Sequence, residues 1–148
     1  MKQLPEHGPC FVCGSENPKG LGVHWFVDDD GSIFTEVTLT EAQQGPPKHA
    51  HGGALSALLD EIMGTACWHS GHMVLAANLS VDFRRPVPLG VPVEVRARVT
   101  DKQGRKVFTS GEIRLPDGEL ATSARGIFIE SSHLFTEPDV SQFTKWLP

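Results

Sequence analysis

Residues 51–64 read His-Gly-Gly-Ala-Leu-Ser-Ala-Leu-Leu-Asp-Glu-Ile-Met-Gly, an apolar stretch opened by two glycines and carrying an acid in its middle. At about 100° per residue on a helix, Gly53, Ser56, Ala57, Asp60, Gly64 and Cys67 share one side, and Leu55, Leu58, Leu59, Ile62 and Ala66 the other. The spacing predicts a helix with one core face and one face of small residues. Small side chains let a second helix or a ligand approach the backbone, so Asp60 is expected to face a crevice rather than bulk water. A carboxylate in a crevice is a candidate general base.

Working outward, the helix is expected to run to about Trp68 and stop before Ser70-Gly71. Upstream, Glu41 to Ala50 contains Gly45-Pro46-Pro47, which cannot continue a regular element and reads as an irregular loop delivering His51 to the helix start. Before that loop, Leu21 to Val27 and Ile33 to Leu39 read as strands joined by the turn Asp28-Asp29-Asp30-Gly31. After the helix, Leu75 to Phe83, Val93 to Val99, Val107 to Leu115 and Leu120 to Glu130 read as four more. In Val93-Glu-Val95-Arg-Ala97-Arg-Val99 every second residue is apolar, the pattern of a sheet with one covered face and one wet face. The expected class is therefore α+β, an antiparallel sheet of about five to six strands wrapped around one long helix. Residues 1–20 are expected to form a leader rich in Cys, Pro and Gly, 21–130 the domain proper, and 131–148 a polar tail, with Phe143, Trp146 and Leu147 near its end, that packs on the surface as an appendage.

Composition narrows the function classes. A formal charge of −5 with no basic run argues against a nucleic-acid partner. The start lacks the apolar stretch of a signal peptide, and no run of 18 apolar residues occurs, so no membrane association is expected. Three cysteines, two of them in Cys10-Phe-Val-Cys13, do not make a disulfide framework and suit a reducing cytoplasm.

The stretch Gln44-Gly45-Pro46-Pro47, His51-Gly52-Gly53 and Asp60, followed by Ala77-Asn78-Leu79, Phe83-Arg-Arg-Pro-Val-Pro-Leu-Gly90 and Gly126-Ile-Phe-Ile129, resembles the hotdog-fold acyl-coenzyme A thioesterases of the phenylacetate-degradation type. The resemblance covers roughly residues 10 to 130, and the leader Cys10-Phe-Val-Cys13-Gly with Asn17-Pro-Lys-Gly-Leu21 is similar to one branch of that family. It implies hydrolysis of an acyl-CoA thioester without a metal or bound organic cofactor. The acid at Asp60 then activates water or attacks directly, and the Gly52 amide polarises the carbonyl. Two departures stand out. Where relatives place a polar residue before His-Gly-Gly, the nearest here is Gln44, followed by Gly45; where some use Ser or Thr on the strand after the helix, this chain has Ala76-Ala77-Asn78. Asn78 is the candidate substitute, since its amide both donates and accepts.

Gly52 and Asp60 are eight residues apart, or about 12 Å along a helix. One thioester cannot easily touch both, so a homodimer is expected, each site taking Gly52 from one chain and Asp60 from the other. The resemblance points to a dimer or a dimer of dimers. His51 is a further candidate at the helix start, orienting the loop or touching substrate. Gly53 and Gly64 leave room for substrate, and Arg84, Arg85 and Arg125, with Arg105 and Lys106, are candidate contacts for the CoA phosphates.

Other groupings read more plainly. Cys10 and Cys13 with His7 and His24 offer four zinc-ligand types, but without a second Cys-x-x-Cys they read as a packed thiol pair. His49 and His51 lack neighbouring ligands at metal spacing, and Asp28-Asp29-Asp30-Gly31 reads as a hairpin turn rather than a calcium loop. The competing function is a non-catalytic acyl-CoA binding protein, favoured by Ala76. A hotdog hydratase needs an acid and His arrangement that the sequence lacks.

Overall fold

The computed structural model describes residues 1–6 and 8–141. His7, Phe143, Trp146 and Leu147, named above, lie outside the described residues. Seven strands form one antiparallel sheet: β1 (Lys2–Gln3), β2 (Phe26–Val27), β3 (Ile33–Thr38), β4 (Val74–Phe83), β5 (Pro92–Gln103), β6 (Lys106–Arg114) and β7 (Leu120–Glu130). Their order across the sheet is β1-β2-β3-β5-β6-β7-β4. One long helix, α1 (Gly52–His69), lies on one face, and a short one, α2 (Glu137–Val140), follows the last strand.

The alternation in β5 does what its pattern requires. Val93, Val95 and Ala97 are buried under α1, whereas Glu94 and Arg98 point to solvent. From the helix, Leu58, Leu59, Ile62 and Met63 are fully buried, each contributing about 1.5–3 kcal/mol by leaving water. The helix approaches β6 closely: a Cβ at Gly111 would lie 3.1 Å from Leu59 Cδ2 and 3.2 Å from Met63 Cγ.

Three local expectations change. The sheet has seven strands rather than five or six, because the leader adds the two-residue β1, pairing Lys2 with Val27 and Gln3 with Phe26. The strand expected over Leu21 to Val27 shrinks to Phe26–Val27. Gly22 turns to φ +64°, which breaks an extended run, and Leu21 and Val23 donate to the leader carbonyls of Phe11 and Val12. Cys67, expected on the small-residue face, is fully buried. Thr65, Ala66 and Cys67 are consecutive buried residues, so near its C-terminal end α1 is covered over more than the one face, while Trp68 and His69 stay partly exposed. Burial pushes the Cys67 thiol up to about 12.

The tail begins in contact with the domain. The rings of Phe135 and Trp68 meet edge to face at 5.3 Å, closing the C-terminal end of α1. At the opposite margin of the sheet from β1, β4 is an edge strand ten residues long, paired among the described residues with β7 alone. Leu75 is 47% exposed and Phe83 56%. Among the described residues no helix is long and apolar enough to cross a membrane.

Candidate active site

The start of α1 is built by the loop before it. The loop closes through Gly45 N–H to His49 O at 3.0 Å and the Gln44–Ala50 bridge, with Lys48 in the left-handed region at φ 67°. Gln44 Oε1 accepts from Lys48 N–H at 3.2 Å. A Cβ at Gly45 would come within 2.8 Å of His51 Cα, so only glycine admits this turn.

His51 is the N-cap. Its Nδ1 accepts from Gly53 N–H at 2.8 Å, and its carbonyl accepts from the Ala54 and Leu55 amides at 3.0 and 3.2 Å. Its own N–H donates to Gln43 O at 2.8 Å. These bonds satisfy three of the four N–H groups that a helix start leaves over. The fourth, Gly52 N–H, has no acceptor among the described residues. It is a donor at the positive end of the helix dipole, the kind of group that stabilises charge growing on a carbonyl oxygen.

Gly52 borders a recess of about 310 Å³ with Phe83, Arg84, Arg85 and Pro86. Arg84 Nε donates to Ser123 Oγ at 3.1 Å, while Arg85 Nη1 lies 3.3 Å from Asp117 and 3.9 Å from Glu119. Gln44, His51 and Gly53 instead border a second recess of about 320 Å³ with Phe11 and Lys19.

Two turns along the helix, Asp60 is half-buried in a separate cleft of about 230 Å³ with Gly64, Thr65, Ala76 and Phe128. Its carboxyl is held above the ordinary range, first by burial, then by the negative charge of Glu61, then by Cys10. No side chain or amide bonds it among the described residues. Two neighbours escaped sequence reasoning. Phe83 covers Gly52, and Thr65 carries a buried hydroxyl with no partner among the described residues. The apolar alternation of β4 signals the position of Phe83 but not which residue it covers.

Asn78 stands elsewhere. A register shift between Ala76 and Asn78 places a bulge at Ala77; after it Asn78 opposes Ile127, on the face of the sheet away from α1. It borders a groove on that outer face together with Ser80, Phe108 and Arg125. The residues of β4 that border the Asp60 cleft are Val74, Leu75 and Ala76. A single chain thus brings Gly52 together with Arg84 and Arg85, Asp60 with Gly64, His51 with Gly53 and Gln44, and Asn78 with Arg125. It does not bring Asp60 and Gly64 to any of the other sets.

The sequence pattern of the Thioesterase superfamily matches residues 47–122, which include His51, Gly52 and Asp60. The acyl-coenzyme A thioesterase THEM4 of Bos taurus is 38% identical over 124 residues, covering 81% of this chain and 50% of that protein. This chain therefore spans about half the length of that curated relative. The crystal structure of protein RHA08564, a thioesterase superfamily protein, superposes with a TM-score of 0.78 at 39% identity, covering 84% of this chain and 60% of that one. The Escherichia coli PaaI protein of the phenylacetic acid degradation operon shares the fold, with a TM-score of 0.66 at 24% identity over 71% of this chain and 80% of that one. With its pattern matched over half its length and its sheet wrapped on one helix, this chain belongs to the thioesterase superfamily and has the hotdog fold.

Proposed function

We propose that this chain hydrolyses acyl-CoA thioesters to a free carboxylic acid and CoA, with Asp60 as general base or nucleophile and the Gly52 amide polarising the carbonyl. In the first route the Asp60 carboxylate takes a proton from water as its oxygen attacks the thioester carbon. In the second, the carboxylate attacks and water hydrolyses the resulting anhydride. In both, the oxyanion faces Gly52 N–H and the CoA thiolate departs. Arg84 and Arg85, beside Gly52, are the cations suited to the CoA phosphates.

The observation that carries this reading is the unbroken helix between the two groups. A free amide at Gly52 and a desolvated carboxylate at Asp60 are eight residues apart on α1, about 12 Å by helical rise. A second copy of the chain, packed so that the start of its helix lies beside the middle of the first, completes a site that neither contains. The long exposed edge of β4, which borders the Asp60 cleft through Leu75 and Ala76, supports such a partner, because unpaired strand edges seek pairing. The name of the THEM4 relative supports acyl-CoA as the substrate class.

A second reading, a non-catalytic acyl-CoA binding protein, is favoured by Ala76, which brings no hydroxyl from β4 to the Asp60 cleft. Release of free thiol from a panel of acyl-CoAs separates the two. The wild type is expected to release CoA and Asp60→Asn to lose a factor of roughly 10²–10⁴. Binding of CoA esters with no release supports the second reading, and equal rates for wild type and Asp60→Asn exclude Asp60 from the chemistry.

A further inference from the structure

The leader and α1 bring three metal-ligand atoms to one point. Between Cys10 and Gly14 the leader folds into a tight knuckle. Gly14 N–H donates to Cys10 O at 3.1 Å, Cys13 N–H points at Cys10 Sγ at 3.4 Å, and Glu16 N–H donates to Gly8 O at 3.3 Å. A Cβ at Gly14 would stand 2.1 Å from Gly8 O and 2.4 Å from Cys10 N, so only glycine closes the turn. The knuckle puts both thiols on the same side, with Sγ atoms 3.4 Å apart. From α1, Glu61 Oε1 reaches to 3.4 Å from Cys10 Sγ and 3.1 Å from Cys13 Sγ. All three ligand atoms lie within 4.8 Å of one another.

We propose that Cys10, Cys13 and Glu61 bind a divalent ion of the zinc class, and that the ion clamps the leader onto α1 beside Asp60. Of the four ligand types offered by the sequence, Cys10 and Cys13 are kept and His7 lies outside the described residues. His24 turns away to Glu6 at 3.1 Å and Gln3 at 3.4 Å, and Glu61, which lies 48 residues beyond Cys13, takes its place.

The geometry fits. Bonds of about 2.3 Å to sulfur and about 2.0–2.2 Å to oxygen give tetrahedral edges of about 3.8 Å between sulfurs and about 3.6 Å from sulfur to oxygen. The distances here are 3.4, 3.4 and 3.1 Å, so an ion needs the ligands to part by only a few tenths of an ångström. The donors also select the metal. Two thiolates favour zinc over the oxygen-seeking magnesium and calcium, and the Cys13 amide aimed at Cys10 Sγ is the outer-shell donor such a thiolate uses. Binding converts both thiols to thiolates and releases their protons to solvent. The resulting centre ties a loop to a helix across the chain, a structural role independent of the hydrolase reading.

The test uses the full chain, kept reduced with a phosphine and stripped with a chelator, then titrated with Co²⁺ as a spectroscopic stand-in for Zn²⁺. The wild type is expected to develop thiolate-to-cobalt charge-transfer absorption that saturates at about one equivalent per chain and is bleached by Zn²⁺. Cys10→Ser and Cys13→Ser should lose that band. Glu61→Gln, which keeps the side chain's shape and therefore the fold, should bind at least about tenfold more weakly. Zn²⁺ should raise the melting temperature of the wild type and raise that of Glu61→Gln less. No charge-transfer band in the reduced wild type, or a Glu61→Gln titration matching the wild type, overturns the proposal. So does a Cys10–Cys13 disulfide that survives the reductant.

Discussion

The ring of Phe83 packs where a side chain on Gly52 would stand: a Cβ there would lie 3.3 Å from Phe83 Cζ and 3.4 Å from Cε1. Phe83 is 56% exposed, so its ring has space to yield. Gly52→Ala should therefore leave stability within about 1 kcal/mol, the tight contact offset by better helix propensity. Gly52→Val crowds the amide itself. Thiol release from acyl-CoA should fall by roughly 10² or more, while thermal melts show the fold intact.

His51 holds the helix start through Nδ1, so its loss should appear first as instability. His51→Ala is expected to cost about 0.5–2 kcal/mol in urea unfolding, and His51→Asn to recover most of it, since asparagine is a strong N-cap. Thiol release by His51→Asn should stay near that of the wild type. An inactive but stable His51→Asn chain would instead assign the ring to the chemistry.

The separation of Gly52 from Asp60 along one helix makes a complementation test decisive. Gly52→Val and Asp60→Asn chains, each inactive alone, should recover thiol release when refolded together, because a mixed dimer holds one site with both intact groups. Recovery that fails while mixed dimers form, judged by mass, would place both groups in one chain's site.

Acid should loosen the edge of the sheet bearing the hairpin between β2 and β3. Arg96 Nη1 donates to Asp28 Oδ2 at 2.9 Å, and this bond, then the Asp29 amide at 2.9 Å, holds the Asp28 carboxyl below its ordinary range. A depressed folded value means that the contribution is complete above the ordinary carboxylate range and is lost as pH falls through the folded value. Asp28→Asn should flatten the acid limb of the stability profile and leave its neutral plateau comparatively unchanged.

Much of the fold is legible because periodicity is local. Leu55, Leu58, Leu59 and Ile62 mark the core face of α1, and Val93, Val95 and Ala97 mark that of β5, with no need of their neighbours. The ends of elements depend on distant partners. Leu21 and Val23 look like strand residues but bond to Phe11 and Val12 in the leader, and Cys67 is buried by whatever covers α1 near its C-terminal end. The candidate site divides the same way. Asp60 and Gly52 follow from helix geometry, whereas the bulge at Ala77 moves Asn78 to the other face of the sheet, a one-residue shift that no spacing in the sequence announces. Glu61 likewise joins Cys10 and Cys13 only through the docking of the leader.

The open edge of β4 carries a kinetic consequence. If the surface that seeks a partner is also a wall of the Asp60 cleft, assembly and turnover are one equilibrium, and the rate per chain depends on how much chain is present. Diluted far enough, such a protein goes silent without unfolding, and its assay curves upward with concentration where that of a self-contained hydrolase runs straight.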